Sequence, residues 1–89
     1  MQRRTVYFAG NVQGVGFRYT ARRIAAGYTV VGFVRNLPDG RVECVVEGEP
    51  TQIDAFLSQI QQSMRHYIDA CDQHQTDPLG DFDRFEIRY

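Results

Sequence analysis

Apolar residues recur along this chain with two periods, which predict alternating strands and helices. Runs of β-branched and aromatic residues predict strands at Thr5–Gly10 and Tyr28–Arg35. Alternation of apolar and polar residues predicts two more strands, at Arg41–Gly48 and Phe82–Tyr89. A weaker strand pattern covers His66–Gln73. The chain is therefore expected to contain four or five strands.

Two other segments have the spacing of amphipathic helices. The first runs from Phe17 towards Tyr28 with its apolar residues on one face, and Gly27 marks its end. The second has Pro50 at its first position and keeps its apolar residues at i, i+3, i+4 and i+7 as far as Met64. Each helix therefore has one apolar face, as expected of a helix that packs against one side of a sheet.

The order of these elements, β-α-β-β-α-β with one extra strand, restricts the topology. Right-handed crossovers make each β-α-β unit parallel, and the turn at Asn36–Gly40 makes the second and third strands antiparallel. Placing the third strand between the first two gives a split β-α-β arrangement. The predicted fold class is α+β, a ferredoxin-like sandwich in which two helices cover one face of an antiparallel, mixed-order sheet of four to five strands.

Length and charge narrow the class of protein. The chain has 89 residues, and we expect residues 1–89 to form a single domain. Lys+Arg total 10 and Asp+Glu total 11, a formal net charge of -1 that argues against non-specific nucleic-acid binding. The apolar run Val6–Ala9 is too short for a signal peptide, and no stretch is long enough to span a membrane. A cytoplasmic protein is expected.

The two cysteines do not suggest a metal or redox site. Cys44 and Cys71 are far apart and lack a C-x-x-C or zinc-like spacing. We interpret them as thiols that behave as small hydrophobic residues, with one disulfide between them as the alternative. The predicted topology places their strands apart, which disfavours the disulfide.

The segment between the first strand and the first helix carries the strongest chemical signal. Gly14 and Gly16 permit the positive φ angles that a concave ring of N–H groups requires. The helix N-terminus adds unpaired N–H groups, and the planar fork of Arg18 matches the oxygens of a phosphate. We therefore predict a phosphate-binding loop formed by the backbone of Gln13, Gly14, Val15, Gly16, Phe17 and Arg18.

The groups that this loop lacks indicate the type of phosphate chemistry. Val12 stands where cysteine-dependent phosphatases carry their nucleophile, and no Gly-Lys-Ser/Thr follows the glycines. No carboxylate or histidine cluster lies near the loop to hold a metal. Such a site suits transfer to water of a phosphoryl group that is already activated. Acyl phosphates fit, because their carboxylate leaving group needs no proton.

A second segment completes the predicted site. The first two strands are parallel, so their C-terminal ends share one edge of the sheet, about 10 Å apart with the third strand between them. Asn36 stands at the end of the second strand. Its carboxamide oxygen can accept a hydrogen bond from a water molecule and orient it. Arg18 and Asn36 are therefore the predicted catalytic residues.

Two long motifs closely resemble the acylphosphatases. Residues Gly10–Arg18 are Gly-Asn-Val-Gln-Gly-Val-Gly-Phe-Arg, and residues Gly32–Gly40 are Gly-Phe-Val-Arg-Asn-Leu-Pro-Asp-Gly. The resemblance implies the same ferredoxin-like fold and hydrolysis of acyl phosphates to carboxylate and phosphate. It also implies that Arg18 binds the phosphate and that Asn36 positions the attacking water. No cofactor or metal is expected, and a monomer is the usual state for such a family.

Two other functions remain open at this point. One is a non-catalytic regulatory or carrier-associated domain, since acylphosphatase-like domains also occur within larger proteins that mature hydrogenase metal centres. RNA-recognition domains share the topology, but they carry aromatic residues on the open face of the sheet, where the third strand here has Glu43, Val45 and Glu47. The expected partner is thus a small acyl phosphate, with no nucleic acid and no membrane.

Overall fold

In the computed structural model, which describes residues 1–89, five strands and two helices alternate in the predicted order. The strands are β1 (Gln2–Gly10), β2 (Val30–Asn36), β3 (Val42–Gly48), β4 (Ile68–Thr76) and β5 (Phe85–Arg88), and the helices are α1 (Phe17–Ala25) and α2 (Pro50–Ser63). The strand order is β4-β1-β3-β2-β5. All neighbouring strands are antiparallel except β2 and β5, which are parallel. The predicted fold class is confirmed.

Element boundaries differ from the prediction mainly where strands are polar. β1 begins at Gln2 rather than Thr5, because Arg3 and Arg4 also pair with β3 and β4 through the backbone. β4 ends at Thr76 rather than Gln73, and it pairs only with β1. Backbone hydrogen bonds hold such an edge strand while most of its side chains face solvent, so no apolar pattern marks its extent.

The helices pack on one face of the sheet, and the core lies between the two layers. Apolar side chains from alternate positions of β1 and β3 meet the apolar faces of α1 and α2 in a cluster of 17 buried residues. Members with no exposed surface include Val6, Phe8, Val42, Cys44, Val46, Ile53, Phe56 and Ile60. Both cysteines are free thiols. Neither helix combines the length and hydrophobicity that spanning a bilayer would require.

The opposite face of the sheet is partly covered. The segment Asp77–Arg84, here called the strap, links β4 to β5 across this face. Glu47, whose exposed fraction is 1%, accepts hydrogen bonds from the backbone N–H of Leu79 at 3.1 Å and of Gly80 at 3.2 Å. Arg3 Nε donates to the same carboxylate at 2.6 Å. The strap therefore supplies the hydrogen bonds that allow this carboxylate to be buried.

Aromatic contacts hold the C-terminal part of the strap. The Phe82 ring packs edge-on against Phe33 of β2, with 5.9 Å between ring centroids. The guanidinium carbon of Arg3 lies 4.9 Å from the Phe82 centroid, and that of Arg88 lies 4.2 Å from the Phe33 centroid. Arg3 also donates to Asp81 at 2.7 Å. Because Phe82–Arg84 belong to the strap, β5 is shorter than the predicted Phe82–Tyr89.

The pKa of Glu47 follows from these contacts. Burial alone would raise it, but the N–H of Leu79, the Arg3 guanidinium and the N–H of Gly80 together hold the pKa below its ordinary value of 4.5. Since the folded pKa lies below the unfolded one, the carboxylate stabilises the fold above the unfolded pKa. This stabilisation is lost as the pH falls through the folded pKa.

We expect Glu47→Gln to lower the free energy of unfolding at pH 7 by about 2–3 kcal/mol, because an amide cannot replace the carboxylate towards three donors. Urea unfolding at a series of pH values measures the effect. The gap between wild type and variant should narrow as the pH falls through the lowered pKa of Glu47, where the wild-type carboxylate becomes protonated. Glu49→Gln, at an exposed site, should stay within about 0.5 kcal/mol of wild type. A gap that persisted unchanged at pH 2.5 would contradict the role of the charge.

Candidate active site

The loop between β1 and α1 has the predicted backbone. Gly14 has a φ of +78° and Gly16 a φ of +76°, so both glycines adopt the left-handed conformation. Gly16 is also the N-cap of α1, and it offers no side chain to the first-turn N–H groups. The first turn of α1 contains no acidic residue. This helix end therefore keeps N–H donors and the positive end of the helix dipole available to an anion.

A cavity of about 130 Å³ opens at this helix end. One water molecule needs roughly 10–15 Å³ of such volume, so a small anion and a water molecule fit together. The lining residues are Val12, Gly14, Gly16, Phe17, Arg18, Tyr19 and Asn36. They include no carboxylate, histidine or cysteine, and no group of three or more such side chains in the chain is arranged to hold a metal ion.

The structure brings Arg18 and Asn36 to this one cavity, together with three of the other predicted loop residues. Gln13 and Val15 do not line it. Tyr19 also lines it and is 60% exposed. The buried Val12 side chain closes another part of the wall.

Arg18 is held by the end of β5. Its Nη1 donates to the carbonyl of Arg88 at 3.4 Å, and its guanidinium carbon lies 4.8 Å from the centroid of the Tyr89 ring. The hydrogen bond is long and weak, so the remaining guanidinium donors stay available to a ligand. This contact is not among those predicted from the sequence. The alternating pattern that ends at Tyr89 predicts the last strand, β5. Placing that strand beside β2 would have predicted the contact with Arg18.

Asn36 is the last residue of β2, and its neighbour Arg35 points to the other face of the sheet. Asn36 pairs with Val42 across the ladder. Arg35 Nε donates to Glu43 at 2.6 Å on the helix-free face. A hydrogen bond to this same Glu43 carboxylate raises the pKa of Tyr7. Because successive side chains of a strand alternate between faces, Arg35 borders the site in sequence but does not line the cavity.

The turn after Asn36 is hydrogen-bonded throughout. Leu37 N donates to Arg41 O at 2.8 Å, and Gly40 N donates to Leu37 O at 3.1 Å. Asp39 accepts the Arg41 N–H at 3.0 Å and the Arg41 Nε at 2.8 Å. The Arg41 N–H and side chain hold the pKa of Asp39 below its usual value. Asp39 and Gly40 thus make the turn contacts expected of them.

Comparison with known sequences decides the family. The sequence model of the acylphosphatase family matches residues 4–87. The chain belongs to the acylphosphatase family. A curated acylphosphatase from Syntrophus aciditrophicus is 42% identical over an alignment of 93 residues that covers 100% of this chain and 94% of that protein. One from Acaryochloris marina is 44% identical over 79 residues, covering 89% of this chain and 85% of that protein.

Solved structures agree with the sequence relatives. A crystal structure of acylphosphatase from Bacillus subtilis superimposes with a TM-score of 0.92 at 30% identity, over 100% of both chains. The crystal structure of HypF from T. kodakarensis matches with a TM-score of 0.85 at 32% identity, covering 100% of this chain but 12% of that one. The acylphosphatase fold thus also occurs as a small part of a long protein. The predicted resemblance and the enzymatic class, acylphosphatase, are confirmed.

Proposed function

We propose that this acylphosphatase hydrolyses acyl phosphates by direct in-line attack of water on the phosphorus atom. The bond from phosphorus to the acyl oxygen breaks, a bond from phosphorus to the water oxygen forms, and the products are a carboxylate and dihydrogen phosphate. The observation that carries the proposal is that Arg18, the glycine loop and Asn36 line the same cavity. No covalent intermediate is needed, since the lining side chains include no serine, cysteine, histidine or carboxylate that could act as the nucleophile.

The phosphoryl group is held by the loop and Arg18. The N–H groups of the loop and the guanidinium bind the phosphoryl oxygens, on which negative charge is spread in the transition state. The exposed helix N-terminus and the absence of an acidic residue in its first turn support this role. Arg18 is oriented by Arg88 and Tyr89 without losing its free donors.

The attacking water is positioned by Asn36. Its carboxamide oxygen accepts a hydrogen bond from the water and aims the lone pair at phosphorus. One water proton stays on the attacking oxygen and the other ends on a phosphoryl oxygen of the dihydrogen phosphate product, so the protein supplies no general base. The leaving carboxylate is stable at neutral pH, so no general acid is required either. The position of Asn36 on the wall of the cavity supports this role.

We also propose that the enzyme acts without a metal, as a monomer in the cytoplasm, and does not bind nucleic acid. Arg18 and the helix N-terminus supply the positive charge that a metal would provide. Two free thiols suit a reducing compartment. The large exposed apolar side chains come from separate segments of the chain, and the net charge is -1, which supports a monomer without a nucleic-acid partner.

Replacing Arg18 with alanine should remove both binding and turnover. We expect kcat/KM for benzoyl phosphate to fall by at least about 100-fold, or about 2.7 kcal/mol, because the charge-assisted contact is lost in the transition state. The inhibition constant of inorganic phosphate should rise in parallel. Arg23→Ala, an exposed arginine of the same helix, is the control and should leave both constants near wild type. Phosphate inhibition that stayed intact in Arg18→Ala would refute this assignment.

Replacing Asn36 with alanine should affect turnover alone. We expect kcat to fall about 10- to 100-fold while the inhibition constant of phosphate stays within about 3-fold, because the variant loses the water contact and keeps the phosphate contacts. Asn11→Ala, an exposed asparagine of the loop outside the cavity, is the matched control. If phosphate inhibition weakened as much as turnover in Asn36→Ala, Asn36 would belong to the phosphate site instead.

Chelation tests the proposed source of positive charge. The purified enzyme, assayed with benzoyl phosphate in excess EDTA, should keep its kcat, because protein donors alone stabilise the transition state. Re-addition of Mg²⁺ or Zn²⁺ should give no gain. A loss of activity in EDTA that a divalent metal restored would rule out the metal-independent mechanism.

A further inference from the structure

The side chain of Gln13 joins the two halves of the proposed site. Its backbone lies in the phosphate loop, next to Gly14, but its amide reaches the turn between β2 and β3. Nε2 donates to the carbonyl of Leu37 at 2.8 Å and to the carbonyl of Arg41 at 3.0 Å. Leu37 directly follows Asn36 in the chain. One amide group therefore links the loop to the first and last carbonyls of the turn.

The geometry uses the full donor capacity of a primary amide. The NH₂ group has two N–H donors, and each carbonyl oxygen has two acceptor sites. One site on Arg41 O is occupied by Leu37 N, and one on Leu37 O by Gly40 N, so Gln13 takes the second site on each. A glutamate would bring no donor in its ionised form, and an asparagine is one methylene shorter. The position thus favours glutamine specifically.

This link bears on Asn36 because it joins the turn directly to the loop, whereas the sheet relates Asn36 to β1 only through Val42 and Phe8. Asn36 pairs with Val42 on one side of its chain. On the other side it is followed by Leu37, whose carbonyl Gln13 holds. Gly14 and Gly16 have no side chains to contact the turn. Removing the amide would therefore weaken the coupling between the turn and the loop, and a shift of about 1 Å can cost about 100-fold in rate.

We propose that Gln13 is a positioning residue that sets the distance between the phosphate loop and Asn36, a role beyond the loop-backbone contact predicted for it. The inference rests on the proposed function of Asn36 in orienting water. Gln13 does not line the cavity, so it acts through Asn36 and not on the substrate.

The first experiment combines Gln13→Leu with Asn36→Ala. In the wild-type background, Gln13→Leu should lower kcat for benzoyl phosphate about 10-fold or more and leave phosphate inhibition within about 3-fold. In the Asn36→Ala background it should lower kcat by less than about 2-fold, because the oriented water is already lost. Gln59→Leu, which removes a glutamine bonded to Tyr28 at 2.6 Å outside the cavity, is the matched control and should leave kcat unchanged.

Each result has a defined meaning. Equal losses of kcat in both backgrounds, or a matching loss of phosphate affinity, would overturn the positioning role while leaving the proposed function in place. If Asn36→Ala alone had no effect on kcat, the proposed water-orienting role would fail first. Faster hydrogen exchange of the Leu37 and Gly40 amides in Gln13→Leu is a second expected result, and unchanged exchange would show that Gln13 does not hold the turn.

A second variant separates positioning from general destabilisation. Gln13→Glu keeps the side-chain shape, but its carboxylate faces two carbonyl oxygens at neutral pH and repels them. Protonation restores one O–H donor, so kcat should recover at least 3-fold relative to wild type as the pH falls from about 7 to about 5. Thermal unfolding at each pH confirms that the variant remains folded. A kcat ratio that did not change with pH would overturn the proposal.

Discussion

The antiparallel pairing of β3 with both β1 and β2 is the constraint on which the rest of the structure depends. Since β3 lies between them, β1 and β2 run in the same direction and end at the same edge of the sheet. The phosphate loop leaves β1 at this edge, and Asn36 closes β2 there. If β1 and β2 were instead joined by a hairpin, they would be antiparallel and would end at opposite edges of the sheet. The loop after β1 and Asn36 at the end of β2 could then not line one cavity.

The same central strand also determines how charge is distributed through the molecule. Its face towards the helices is wholly apolar, whereas its other face carries Glu43 and Glu47 in the middle of the sheet. Each carboxylate has an arginine from a neighbouring strand, Arg35 and Arg3, at 2.6 Å. A buried carboxylate that loses its partner is costly, so these pairs define which strands are neighbours and in which register. Glu47 also accepts hydrogen bonds from the backbone of the strap. The strap continues into β5, and the end of β5 contacts Arg18.

The parts of this structure that could be predicted from sequence are those that depend on local chemistry. Gly14 and Gly16 predicted a backbone with positive φ, and apolar periodicity predicted both helices. In these segments the conformation depends mainly on residues that are close in sequence. The parts that could not be predicted depend on long-range contacts. The sequence of β4 is polar, so it does not indicate that this strand pairs with β1 as far as Thr76. Glu47 occupies a polar position in the alternating pattern of β3, as an exposed residue would. It is buried because the strap, which is distant in sequence, covers it. The motif around Gln13 predicts only the role of its backbone in the loop. No neighbouring residue indicates that its side chain bonds a turn 24 residues away.

The size of the cavity has a consequence for selectivity. With about 130 Å³, it has room for a phosphoryl group and a water molecule, but not for a bulky acyl chain as well. Under the proposed mechanism the acyl portion therefore extends past the exposed Tyr19 into solvent, where few contacts can distinguish one carboxylic acid from another. Under this mechanism the enzyme would recognise the phosphoryl group and be nearly indifferent to the acyl group that carries it. Such a catalyst would limit the lifetime of a whole chemical class of activated carboxylates, and its cellular effect would be decided by which of them is most abundant.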